Sequence, residues 1–295
     1  FLRILMARQP TPVIVVSSYA QRENVFKALE LGALDFIIKP DRQITPDNAE
    51  VREEILSKVL MVRALRPTFV PTSLIKRSSG APLPSDGRPQ EGASAAVAYK
   101  SPSKIVAIAS STGGPSALLS IFAKVPATST AGFVIAQHMP DKFTRTFAER
   151  LDKRGPVRTA EAQENDSVAQ RTGFVCPGRK CMELYTAPLH PSGSEYRLRV
   201  GAPTPADRYV PSADRLFKSV AAAAGPRAVA IVLTGMGDDG LEGARAIRDA
   251  GGYVVAESQE TAVVFGMPGA VVRAGLANKV LPLPEIADFV GQVGG

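Results

Sequence analysis

KIVAIASSTGGPSALLSIFAKV, residues 104–125, decides the fold. Ile105 to Ala109 are apolar without polar alternation, the pattern of a strand covered on both faces, as strands in parallel sheets are. A Ser/Thr/Gly turn follows, and then Leu118, Leu119 and Phe122 mark one apolar side of a helix. A buried strand that turns directly into a helix opens a βαβ unit, in which the chain crosses back to lay down a parallel neighbour.

Downstream the alternation repeats. GFVIAQ (132–137) reads as a strand, DKFTRTFAERLDKR (141–154) as a helix, GFVCP (173–177) and YRLRV (196–200) as strands, and SADRLFKSVAAAA (212–224) as a helix. RAVAIVLTG (227–235) is a strand, DGLEGARAIRDAG (239–251) a helix and GYVVAE (252–257) a strand. The expected fold is α/β: a doubly wound, mostly parallel sheet with a short antiparallel excursion near residues 156–201. Upstream, PVIVVSS (12–18), ENVFKALELGA (23–33), LDFIIKP (34–40) and an amphipathic stretch at about 47–62 form a smaller βαβα segment, with Gly32 placed to end its first helix. Between the two, six prolines (67, 71, 82, 84, 89 and 102) lie scattered among Ser, Gly and Ala with little periodic hydrophobicity, a linker composition. Three units are expected: 1–62, a linker at 63–103, and 104–295. The chain opens at Phe1 within a helix-like pattern that includes Leu2, Leu5 and Met6, so a preceding segment is expected.

Composition narrows the function classes. The net charge of +7 suggests nucleic acid until it is divided along the chain. Residues 1–62 carry eight basic and eight acidic groups, the linker six and two, and the remainder 21 and 18, so the linker holds most of the local excess and no basic groove is indicated. No run approaches the roughly 18 to 20 apolar residues of a membrane span, and the start lacks a signal-peptide layout. A cytoplasmic location without membrane insertion is expected. Cys176 and Cys181 lack a second cysteine pair or a histidine cluster, so no zinc site is expected.

In such sheets, sites form where strands end and loops lead into helices. Three strand ends carry reactive groups: Ser110, Ser111 and Thr112; Gln137 and His138; Asp238 and Asp239. A serine hydroxyl becomes a nucleophile when a base takes its proton and a carboxylate orients that base. The other histidine, His190, lies in a turn-like LHPSG, so any Ser/His pair uses His138. Each residue taken singly has a plainer reading as a helix cap or packing group; their coincidence at three strand ends favours catalysis. Gly113 and Gly114 permit a tight turn with amides near the serine, and GMG around Met236 offers a further N–H for a developing oxyanion. A phosphate cradle is the competing use of the glycine turn, but the lysine of a P-loop and a GxGxxG pattern are both missing.

IVAIASSTGGPSAL, FVIAQHMP, VCPGRKCMEL, YVPSADRLF, VLTGMGDDGLEGA and FGMPGAV together resemble the chemotaxis protein-glutamate methylesterases, CheB, in order and approximate spacing over nearly all of residues 104–291. The resemblance implies Ser111 as nucleophile, His138 as base, Asp239 as the orienting carboxylate, Met236 as an oxyanion-hole amide and Thr112 as a supporting polar residue. It implies demethylation, and also deamidation, of side chains on methyl-accepting chemoreceptors, without a cofactor. Two positions depart from the family: Ser110 stands where alanine is usual and competes as nucleophile, and Cys181 replaces a histidine. Residues 1–62 resemble the second half of a response-regulator receiver domain, with Ser17 and Phe36 at the switch positions and Lys39 at the phosphate-contacting lysine. The phosphoacceptor aspartate and the magnesium-binding acids belong to the missing first half. An intact receiver would take phosphate from the chemotaxis histidine kinase; weakened or absent regulation is expected here. A non-catalytic phosphorelay effector that binds a partner is the alternative.

Overall fold

The computed structural model describes residues 1–17, 22–39, 52–53, 55–56, 58–60, 99–188 and 193–294. The greater part of the expected linker, and His190, lie outside the described residues.

The first segment forms α1 (Leu2–Arg8), β1 (Ile14–Ser17), α2 (Arg22–Glu30) and β2 (Asp35–Ile38), with β1 and β2 paired in parallel. The main unit begins with β3 (Ile105–Ser110), α3 (Gly114–Phe122), β4 (Gly132–Gln137) and α4 (Asp141–Asp152). Five strands follow without an intervening helix: β5 (Arg158–Glu161), β6 (Ser167–Val168), β7 (Thr172–Val175), β8 (Cys181–Pro188) and β9 (Ser194–Gly201). The chain then resumes strict alternation through α5 (Ala213–Ala224), β10 (Ala228–Val232), α6 (Leu241–Asp249), β11 (Tyr253–Glu257), α7 (Met267–Arg273), β12 (Lys279–Leu281) and α8 (Leu283–Gln292).

Seven strands form a parallel sheet in the order β12-β11-β10-β3-β4-β7-β5. The antiparallel excursion is narrower than the sequence suggested. β6, β9 and β8 form a separate antiparallel sheet, whereas β5 and β7, inside the same stretch, join the main sheet in parallel. Strand alternation divides the core in two. Val106, Ile108, Phe133, Ile135, Val229 and Ile231 face one side, towards α3, α4 and α8. Ala107, Ala109, Ala136, Ala230 and Ala256 face the other, towards α5 and α6. The small side chains on that second face let helices pack close to the sheet.

β3 has β4 on one side and β10 on the other, so the chain reverses its direction of winding across the β3/β10 boundary. Crevices open at the carboxyl ends of strands at such reversals, and the Ser111, His138 and Asp239 positions follow β3, β4 and β10.

The amino-terminal segment shares the core of the main unit. Val25, Phe26, Leu29 and Phe36 are buried together with residues of α3 and α4. Phe26 stacks on Phe147 at 6.0 Å, and Phe36 lies 4.7 Å from Phe143. Arg150 donates to Glu23 and Glu30, each at 2.6 Å. Among the described residues of this segment, Phe1, Ile4 and Val16 are exposed.

Candidate active site

Ser111 lies one residue beyond β3. Its amide donates to Thr234 O at 3.0 Å, and its carbonyl accepts from Gly114 N at 2.8 Å, which closes the turn. Gly113 sits at φ +82°, a conformation glycine adopts without strain. A β-carbon on Gly114 would stand 2.2 Å from Gln137 Oε1 and 2.7 Å from Ser110 Cβ. The Gly114 amide is engaged inside the turn, so this residue contributes close packing rather than a free donor.

The two adjacent serines part company. Ser110, the last residue of β3, is fully buried and donates to Gln137 Oε1 at 2.6 Å. Ser111 lines a cavity of about 310 Å³ together with His138, Thr112, Met139, Arg179 and, from the amino-terminal segment, Asp35, Phe36 and Lys58. Gln137 ties the two strand ends together, since its Nε2 also donates to Ser111 O at 2.9 Å and to His138 O at 3.0 Å.

His138 Nε2 lies 2.8 Å from Asp239 Oδ2. Asp239 is 2% exposed, and its carboxylate also accepts from Ala213 N at 2.7 Å and Asp214 N at 3.0 Å, the first two amides of α5. A helix amino terminus suits a carboxylate because its amides are unpaired and the helix dipole favours negative charge there. With Asp239 accepting, Nε2 carries the hydrogen and Nδ1 is left with the lone pair. The neighbouring Asp214 accepts from Gly243 N at 2.7 Å. Burial pushes its carboxyl above the usual range against the pull of that bond, and the charge of Asp239 adds to the rise.

Tyr209 covers the imidazole: the rings stack at 5.5 Å and 10°. Its hydroxyl donates to Asp238 Oδ1 at 3.0 Å. Burial, with the bond to Asp238, raises the phenol's pKa. Gly237, at φ +86°, would carry a β-carbon 2.5 Å from Tyr209 Oη, so the loop after β10 can pass beneath the ring only as glycine. Gly235 is similarly constrained, because a β-carbon there would stand 2.9 Å from Ser111 Cβ. This close approach brings the backbone leading into Met236 against the serine turn, with the Met236 side chain turned outward. Thr112 is buried and donates to Asp35 Oδ2 at 2.6 Å, while Lys58 Nζ stands 3.2 Å from the same oxygen.

A buried carboxylate lies beneath this layer. Glu257, fully buried at the end of β11, accepts from Thr234 N at 2.8 Å and from Thr261 Oγ1 at 2.9 Å. Thr234 in turn donates through Oγ1 to Thr112 O. Burial pushes the Glu257 pKa up to about 7 against the pull of the two hydrogen bonds.

Thus Ser111 and His138 reach one cavity, and Asp239 stands behind the histidine. The sequence assigns no role to Gln137, Tyr209 or Glu257. Their signals were slight: a polar residue closing an apolar strand for Gln137 and Glu257, and an aromatic before a proline-containing turn for Tyr209. Ser17 ends β1 and Lys39 follows β2, with Lys39 N donating to Ser17 O at 2.7 Å; Phe36 points into the shared core. Among the described residues no group of three or more His, Cys, Asp or Glu side chains is arranged to hold a metal ion, and no helix is long and apolar enough to cross a membrane.

Residues 106–290 match the family described as CheB methylesterase. The chain belongs to this family. Similar proteins include the protein-glutamate methylesterase/protein-glutamine glutaminase 1 of Myxococcus xanthus, 43% identical over 99% of this chain and 79% of its own length. Protein-glutamate methylesterase/protein-glutamine glutaminase 6 of Anaeromyxobacter dehalogenans is 43% identical over 97% of this chain and 75% of its own length. The crystal structure of the Thermotoga maritima CheB methylesterase catalytic domain superposes with a TM-score of 0.59 at 34% identity, covering 64% of this chain and 97% of that one. The methylesterase fold accounts for the parallel sheet of the main unit.

Proposed function

We propose that the protein is a serine hydrolase that removes methyl esters from glutamate side chains, and amides from glutamine side chains, of methyl-accepting chemoreceptors. The observation that carries this reading is the 2.8 Å contact between His138 and the buried Asp239, with His138 and Ser111 lining one cavity.

The mechanism follows from the placement. Asp239 holds Nε2–H of His138, leaving Nδ1 to take the Ser111 proton as Oγ attacks the ester carbonyl. The carbonyl π-electrons move onto oxygen, and the Met236 amide stabilises that charge. On collapse the C–OCH₃ bond breaks and methanol departs with the proton from His138. Water then attacks the acyl-serine, His138 takes its proton and returns it to Oγ, and glutamate is released. For a glutamine substrate ammonia leaves in place of methanol. No step requires a cofactor. Thr112, Gly113 and Gly114 shape the nucleophile turn, and residues 104–295 form the catalytic unit. The amino-terminal segment resembles the second half of a receiver domain, and its Asp35, Phe36 and Lys58 wall the cavity, so it partly covers the nucleophile. We place the activity in the cytoplasm, with the chemotaxis histidine kinase as the partner of an intact receiver.

Methanol release from methylated chemoreceptor tests the reading. Ser111→Ala should lose release by on the order of 10⁴-fold or more, whereas Ser110→Ala should retain it. Equal loss in both variants, or no release from the unaltered chain, overturns the assignment.

A further inference from the structure

Among the described residues, three other than glycine lie in the left-handed backbone region: Asn165, Arg171 and Arg179. Two have local uses for their side chains. Asn165 Oδ1 accepts from Tyr185 Oη, and Arg171 Nη1 donates to Ala127 O. Arg179, at φ +58°, has no such use. Its side chain is exposed, lines the cavity that holds Ser111 and His138, and makes no hydrogen bond or ion pair among the described residues. Lys58, the other full cation in that lining, is engaged by Asp35.

The turn that presents Arg179 is fixed on both sides. Lys180 N donates to Pro177 O at 3.3 Å, the Cys176 thiol donates to Lys180 O at 3.4 Å, and Gly178 N donates to Thr144 Oγ1 at 3.4 Å. Gly178 lies so close to α4 that a β-carbon would stand 2.3 Å from Asp141 N. A β-branched or bulky residue in a left-handed conformation is costly, and such positions gather at sites where the surroundings enforce them. Here the enforced conformation sets an unneutralised guanidinium at the cavity edge.

We propose that Arg179 is a specificity-determining residue that selects substrate segments carrying a carboxylate beside the reacting side chain. The inference rests on the esterase reading above and adds the chemical class of its substrate: a glutamate ester within an acidic stretch of protein. Guanidinium pairs with carboxylates through two parallel N–H donors, which gives direction as well as attraction. Hydrolysis itself creates such carboxylates, so a segment already demethylated nearby becomes the better substrate for the next turnover.

Two helix-forming peptides test this, each with one glutamate γ-methyl ester, flanked three and four residues away on either side by glutamate in one and glutamine in the other. Methanol release is measured for the full chain and for Arg179→Gln, Arg179→Gly and Arg179→Lys. The unaltered chain should favour the acidic peptide by roughly three- to tenfold in kcat/KM, through KM, as expected of a partly exposed charge pair. The Gln and Gly variants should lose that preference with the neutral peptide unaffected, Lys should keep only part of it because it attracts the carboxylate without the paired donors, and 0.5 M salt should erase it. A preference that survives in Arg179→Gln and Arg179→Gly, or an equal fall of both peptides, overturns the inference while leaving the esterase intact. Absence of methanol from both peptides instead removes the esterase reading and the inference with it.

Discussion

Replacing Glu257 by glutamine should change how stability depends on pH, and the size of the change follows from its surroundings. The carboxyl is fully buried at the end of β11, and its pKa is raised from 4.5 to about 7, chiefly by burial. The folded protein therefore holds a proton between those pH values that the unfolded chain has already released. Stability falls as pH rises wherever the folded state binds more protons, so Glu257 costs nothing below about pH 4.5 and progressively more up to and beyond pH 7. At roughly 1.4 kcal/mol for each pH unit separating the two pKa values, ionising it in place costs the fold about 3 kcal/mol at pH 8 and above. Glutamine has nearly the same shape, can accept from Thr234 N as the carboxylate does, and never ionises. Urea unfolding at pH 5, 6, 7 and 8 should show the stability of the unaltered chain falling relative to Glu257→Gln by about 2 to 3 kcal/mol across the series, the first part of the loss having occurred below pH 5. All other titrations are common to both proteins and cancel in the difference. A difference that stays flat with pH, or that moves in favour of the unaltered chain as pH rises, would refute the reasoning.

Three further outcomes are expected. Asp239→Asn should keep the fold but lower kcat by about 10³- to 10⁴-fold, because an amide cannot fix the Nε2–H tautomer of His138; steady-state methanol release measures it, and a loss below tenfold would remove Asp239 from the mechanism. Tyr209→Phe should cost little, since the ring stacked on His138 remains, whereas Tyr209→Ala should lower kcat by roughly tenfold or more by freeing the imidazole; equal effects would mean that the bond to Asp238, not the stacking, matters. Arg150→Ala severs the bonds to Glu23 and Glu30 that help hold α2 on the main unit. Amide hydrogen exchange in α2 should then quicken about tenfold, with α3 unchanged and methanol release raised; unaltered release would show that the amino-terminal segment does not govern access.

Much of this was legible because parallel strands are buried on both faces and so read as unbroken apolar runs. IVAIA, GFVIA and RAVAIV announce three neighbouring strands, and the polar residues that end them fall where the reversal of winding opens the sheet. β5 was less legible: RTAE alternates buried and exposed positions, as an edge strand does, and nothing local says that it joins the main sheet rather than the antiparallel one. Glu257, Gln137 and Tyr209 were harder still, because each acts through partners distant in the chain. Glu257 meets Thr234 and Thr261, Gln137 meets Ser110 and Ser111, and Tyr209 meets His138.

The choice between Ser110 and Ser111 was the question residue type alone left open, and strand geometry answers where each one goes. Side chains alternate across a sheet, and Ser110, still paired with Gln137 in the β3/β4 register, is committed to a face that helices cover. Ser111 falls just past the last paired residue. There the chain is free to leave the ladder, and its amide turns to Thr234 O on the opposite neighbour. A strand one residue longer would have turned Ser111 to the sheet's other helix-covered face, and one residue shorter would have freed Ser110. The length of β3 is set by where apolar residues stop and where Gly113 and Gly114 allow the turn. The same glycine pair that forms the turn therefore decides which hydroxyl meets the cavity.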